Sequence, residues 1–171
     1  MMADTRGFQE FYQANYGRLV AVVAGLTGDR AEAEDIAQEA FSRALVRWSR
    51  LSAYDVPEAW LRKVALRIAT DSGRRVRRAV LMTARLSAQR PAPAATPEDA
   101  LGFEDLARAL RQLPLAQRQV LVLRYIADLP ADQIARECAL PLGTVKARLA
   151  AGRKRLEREL SEHAGAVRDV L

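Results

Sequence analysis

The sequence predicts an all-α protein: a three- to four-helix N-terminal domain and a helix-turn-helix C-terminal domain, both small, joined by a flexible linker. Three observations lead there. Ala, Leu, Arg and Glu, all good helix formers, dominate the 171 residues, while β-branched runs are short. Apolar residues recur at three- and four-residue steps through most of the chain. Pro91, Pro93 and Pro97 stand within seven residues of one another, where a helix cannot continue.

The elements follow in order. Phe8, Phe11, Tyr12, Leu19, Val22, Val23 and Leu26 line one side of a first helix that ends near Gly28. Asp29 with Glu32 three residues on has the form of a capping box, so a second helix begins there and runs to about Trp48. Its expected buried stripe is Ala33, Ile36, Ala37, Ala40, Phe41, Ala44, Leu45 and Trp48. Ser52 to Val56 is turn-like, and Pro57 suits the first position of a third helix with Trp60, Leu61, Val64 and Ile68 on its apolar side. Residues 1–78 then make the first domain, 79–100 the linker and 101–171 the second domain with a short tail. Leu106, Ala109, Leu110 and Leu113 pattern a helix before a break at Pro114, and Val120, Leu121, Leu123 and Tyr125 pattern the next. Pro130 to Cys138 is a short helix with Ile134 and Ala135 inward, Ala139 to Gly143 a turn, and Thr144 the expected cap of a longer helix carrying Val145, Leu149, Leu156 and Leu160. That succession is helix-turn-helix grammar.

The formal charge of +6 is unevenly spread. Residues 1–60 carry 6 basic and 9 acidic side chains, whereas 61–90 carry 9 and 1, so one stretch of thirty residues offers a surface to a polyanion. A single cysteine, Cys138, excludes an intrachain disulfide, and with the lone His163 it cannot form a four-ligand zinc site; Cys138 is expected to fill a small apolar slot between the two helices of the motif. There is no glycine-rich phosphate loop and no nucleophile with a base, so catalysis, metal and cofactor are not expected. No apolar run approaches the roughly 20 residues a membrane span needs, and Met1 to Glu10 lacks a signal-peptide pattern, which points to a cytoplasmic protein without membrane contact. In the last helix Lys146, Arg153 and Lys154 stand among Ala147, Ala150 and Ala151; short side chains let a helix approach base edges, and Lys and Arg reach phosphates or guanine.

Two blocks carry a family resemblance. Gly28 to Phe41, with its Glu34-Asp35 and Gln38-Glu39 pairs, is similar to the polymerase-docking helix of the extracytoplasmic-function group of bacterial sigma factors, in the sigma-70 superfamily. Leu113-Pro114, Arg118, Val120 to Tyr125, Ile134-Ala135 and Gly143 to Leu149 resemble that family's reader of the upstream promoter element. The match spans roughly residues 8–160. It implies an initiation factor that binds core RNA polymerase through Glu34, Asp35, Gln38, Glu39 and Phe41, with Asp35, Gln38 and Glu39 outward and Ile36 and Phe41 holding the helix in place. It further implies that the Leu51 to Val56 loop and the helix from Pro57 to Arg75 melt the downstream element and take an extruded base. Trp60, Arg62, Lys63, Arg67, Arg74 and Arg75 are the candidate contacts to that DNA, an aromatic platform beside a positive track. Thr144, Lys146, Ala147, Arg148, Ala150, Arg153 and Lys154 are the candidate contacts to the duplex upstream element. Implied partners are the largest polymerase subunits, promoter DNA in double- and single-stranded form, and an anti-sigma protein.

Two departures from the family pattern stand out: Arg67 occupies a position that is Asn in many relatives, and Ala147, Ala150 and Ala151 stand where polar, aromatic or basic residues are common. Upstream specificity therefore rests on Lys146, Arg148 and Arg153 with shape readout, or is weaker than usual. Two other readings remain. A stand-alone helix-turn-helix regulator would share the second block, yet residues 8–75 show no strand-helix alternation and no aspartate pocket for a receiver module. A protein-interaction adaptor would share the acidic helix, yet leaves the basic third helix without purpose.

Overall fold

The computed structural model describes residues 2–83 and 100–168, with side chains described for 6–75, 82 and 105–162. All regular structure among the described residues is helical, and the chain divides into two compact units, Met1–Pro93 and Ala94–Leu171.

The first unit contains α1 (Met2–Thr27), α2 (Arg30–Val46), α3 (Trp48–Leu51) and α4 (Pro57–Thr83). Gly28 takes φ 74°, the left-handed geometry that favours glycine, and its N–H returns to Ala24 O at 2.7 Å. The chain thereby reverses within two residues, and α1 and α2 pack along each other and on α4. Asp29 caps α2, its Oδ1 accepting from Glu32 N at 3.0 Å. Only half of the expected capping box forms, however: Asp29 N donates to Thr27 Oγ1 at 3.2 Å, and the Glu32 carboxylate accepts from Ser72 Oγ on α4 at 2.9 Å.

The buried side of α2 is Ala33, Ile36, Ala37, Ala40, Phe41 and Ala44, and four alanines let α1 and α4 come close. Leu45 departs from expectation at 54% exposure. Ala44 takes the inward position, and one residue later the helix has turned about 100° away. The chain breaks at Arg47, so Trp48 belongs to α3 and not to α2. Trp48 lies edge to face against Phe8 at 5.4 Å and 5.0 Å from Phe11, while Phe41 meets Tyr12 at 4.7 Å, an aromatic core of the kind that prefers offset and edge contacts. On α4 the buried stripe is Leu61, Ala65, Leu66 and Ala69, whereas Trp60, Val64 and Ile68 of the expected stripe are only half-buried. The core face is rotated by about one residue from the periodicity reading. Helix α4 continues eight residues beyond Arg75 to Thr83; residues 84–99 of the expected linker lie outside the described residues.

The second unit contains α5 (Ala100–Gln112), α6 (Leu115–Tyr125), α7 (Ala131–Cys138) and α8 (Leu142–Arg168). Helix α8 packs on all three others around Leu113, Val120, Leu121, Val122, Leu123, Ile134, Val145 and Leu149. The Arg118 guanidinium donates to Arg111 O at 2.8 Å and Leu113 O at 3.0 Å, satisfying carbonyls at the end of α5 that have no helical partner. The turn after α7 is made by Ala139 at φ 53°, with Leu140 N bonded back to Ala135 O at 2.9 Å. Thr144 is not the cap of α8. That helix starts at Leu142, with Val145 N on Pro141 O at 3.1 Å, so Thr144 is its third residue. Tyr125, at 57% exposure, ends α6 outside the core that its periodicity suggested.

Candidate docking and nucleic-acid interfaces

Burying one side of α2 leaves an outward face that carries Asp35, Gln38 and Glu39 exposed, with Glu34 half-exposed. Two acids are matched along the helix: Arg30 Nε reaches Glu34 Oε1 at 3.1 Å and Arg43 Nε reaches Glu39 Oε1 at 2.8 Å, both i,i+4 pairs. Asp35 sits between them with no ion pair among the described residues. Exposed pairs of this kind contribute little stability and exchange easily, so the face keeps its acidic character toward a basic surface. Phe41 does not share it. At 2% exposure it is enclosed by Phe8, Phe11, Tyr12 and Tyr16, so the residue named as a polymerase contact can only shape α2 from beneath.

On α4 the side chains of Trp60, Lys63, Arg67 and Arg74 fall within about 60° of one another around the helix, opposite the Leu61-Ala65-Ala69 stripe. Arg74 lies 4.0 Å from Asp71, the one acid in the basic stretch, while Lys63 and Arg67 are exposed. Arg75 is exposed at the edge of this face. Arg62 is not on it: it is half-buried on the flank of the core stripe. Trp60 is half-buried and covered by a cation, with the Arg47 Cζ 5.9 Å from its ring centroid. Arg47 comes from the α2–α3 junction, and no periodicity on either helix could have announced it beside Trp60.

Helix α8 divides its candidate residues. Lys146, Ala147, Ala150 and Lys154 are exposed on the side away from Val145, Leu149 and the buried Gly152. Arg153 sits on one flank, its Nη1 donating to Tyr125 Oη of α6 at 3.3 Å. Thr144 and Arg148 sit on the other flank, half-buried, with Arg148 close enough to Cys138 to act on its charge. Cys138 itself is half-buried and accepts from Gln119 Nε2 at 3.6 Å. Burial and, secondarily, the Glu137 carboxylate push its thiol pKa up, against smaller opposing effects of Arg148 and Gln119.

Residues 11–79 match the model of sigma-70 region 2, and residues 103–156 match that of sigma-70 region 4. The chain is 31% identical over 161 residues to the probable RNA polymerase sigma-C factor of Mycobacterium bovis, covering 88% of this chain and 82% of that one. The chain belongs to the sigma-70 family. Within it, the relatives place it in the extracytoplasmic-function group: the sigma factor SigW of Bacillus subtilis is 29% identical over 174 residues, covering 93% of this chain and 91% of that protein. The fold agrees with that of the sigma factor RpoE of Bartonella quintana, co-crystallised with the anti-sigma factor NepR, at a TM-score of 0.75, 22% identity, and 91% and 98% coverage. As a sigma factor the protein initiates transcription with RNA polymerase and is not an enzyme. Among the described residues no helix is long and apolar enough to cross a membrane.

Proposed function

We propose that the three exposed faces divide the work of initiation. The α2 face, Glu34, Asp35, Gln38 and Glu39, docks on the largest subunits of core polymerase, with Phe41 and Ile36 holding it from below. The α4 face, Trp60, Lys63, Arg67, Arg74 and Arg75, together with the loop before it, engages the downstream element as it opens. The α8 face, Lys146, Ala147, Ala150 and Lys154, enters the upstream element, with Arg148 and Arg153 on its flanks toward phosphates. Residues 1–78 and 101–171 act as separate modules, joined through 79–100, whose first five residues continue α4.

The observation that carries this reading is the outward acidic face of α2, set on an alanine-lined buried face and capped at Asp29. Among the described residues of the first unit, Asp35 and Gln38 make no ion pair or side-chain hydrogen bond, and Glu39 pairs only with Arg43 of its own helix. An anti-sigma protein is a further partner, which the complexed relative from Bartonella supports. The cytoplasm is where such a factor meets polymerase and promoters.

Run-off transcription with purified core enzyme, on a fragment upstream of the chain's own gene, is the test. The intact protein yields a discrete transcript; Asp35→Lys with Glu39→Lys yields none and no longer co-purifies with core, while its far-UV spectrum is unchanged. Retained co-purification of the reversed protein overturns the docking assignment.

A further inference from the structure

Arg47 has no carboxylate partner among the described residues, is exposed, and places its guanidinium over the face of Trp60. Its backbone is held on both sides: Arg47 N donates to Ala44 O at 3.1 Å, and Arg47 O accepts from Arg50 N at 3.0 Å and Leu51 N at 2.9 Å. The neighbouring Trp48 is locked into the aromatic core. The Cα of Arg47 is therefore fixed while its side chain is free to swing from a firm base. The ring it covers shares an outward face with Lys63, Arg67 and Arg74.

We propose that Arg47 belongs to the single-strand-capturing surface as an exchangeable cover for Trp60. In the free protein the guanidinium occupies the aromatic face by cation–π contact, which is weak at an exposed site. An unstacked base takes that face by stacking, and the displaced guanidinium moves to the phosphate of the same strand, where its charge is better used. The exchange keeps the tryptophan covered in the absence of DNA and adds a phosphate contact from outside α4 when DNA opens. This rests on the assignment of the α4 face to the downstream element.

The test uses the holoenzyme and a single-stranded oligonucleotide of the non-template strand from the mapped promoter, titrated over a range of salt. Arg47→Ala weakens binding about three- to tenfold and lowers the salt slope by about 0.7, the value of one single-strand phosphate contact. Arg47→Lys keeps the slope. In the full-length protein without polymerase, Arg47→Ala also raises acrylamide quenching of tryptophan fluorescence, since Trp48 is buried and Trp60 is the accessible indole. Unchanged affinity and slope in Arg47→Ala, while Lys63→Ala or Arg67→Ala weakens binding, overturns the role of Arg47 and leaves the α4 assignment standing. If Trp60→Ala, Lys63→Ala and Arg67→Ala are all without effect, the α4 assignment falls and this proposal with it.

Discussion

The hydroxyl of Ser72 donates to Glu32 Oε1 at 2.9 Å across forty residues of sequence, joining α4 to the first turn of α2. The same glutamate gives its N–H to the cap Asp29, so one residue ends the turn, starts α2 and fixes it to α4. A charge-assisted bond of this kind, here half-exposed, couples its partners by about 1 kcal/mol. A double-mutant cycle of Glu32→Ala and Ser72→Ala in urea denaturation is expected to show that coupling, with Asp29→Ala costing a further ~1 kcal/mol through loss of the cap. Additive single changes at Glu32 and Ser72 show that the bond contributes nothing.

Gly152 is buried where α8 crosses α6: a Cβ there comes within 3.0 Å of Leu121 Cδ1, 3.2 Å of Leu121 Cγ and 3.4 Å of Gln117 Cβ. Leu121 is itself fully buried and has little room to retreat. Gly152→Ala gains up to ~1 kcal/mol of helix propensity but overpacks this crossing by about 1–3 kcal/mol, so a net loss is expected. Thermal denaturation reads it, and the loss should shrink in a Leu121→Ala background, where space is made. A stabilised Gly152→Ala protein means that α8 shifts without penalty.

Cys138 is predicted to react slowly with thiol reagents at neutral pH, because burial holds its thiol protonated above the ordinary range. The folded pKa lies above the unfolded one. The stability that this difference contributes is therefore complete below the unfolded pKa and is lost as pH rises through the folded value. Iodoacetamide labelling should accelerate on urea denaturation and, in the folded protein, only at distinctly alkaline pH. Equal rates for folded and unfolded chains at pH 8 contradict the burial argument.

For the upstream element, the holoenzyme's affinity for duplex promoter DNA should lose about 0.9 in salt slope with Lys146→Ala and again with Lys154→Ala, the worth of one phosphate contact each. Both lysines point away from the core of α8. Arg153 is held sideways by Tyr125 Oη. Tyr125→Phe should therefore weaken binding by less than Arg153→Ala does, and should have no effect once Arg153 is removed. A Tyr125→Phe effect that persists in the Arg153→Ala protein assigns Tyr125 its own contact.

The sequence alone determined the helical class and which side of α2 faces outward. Helices at three- and four-residue periodicity, a left-handed glycine at 28 and an acidic cap at 29 are local properties, and each formed as its residues require. Exposure of Asp35, Gln38 and Glu39 follows from the alanines that oppose them on the same helix. Where periodicity failed, a neighbour decided: α4 rotated so that Ala65 and Ala69 pack inward and Trp60 was left half-buried on the outward side, and Leu45 lost its place to Ala44. Tertiary structure alone brought Ser72 to Glu32, Arg47 over Trp60, Tyr125 to Arg153 and Leu121 against Gly152. These partners lie on different elements, and their meeting depends on crossing angle and helix rotation, which the packing of whole faces sets and no local pattern encodes.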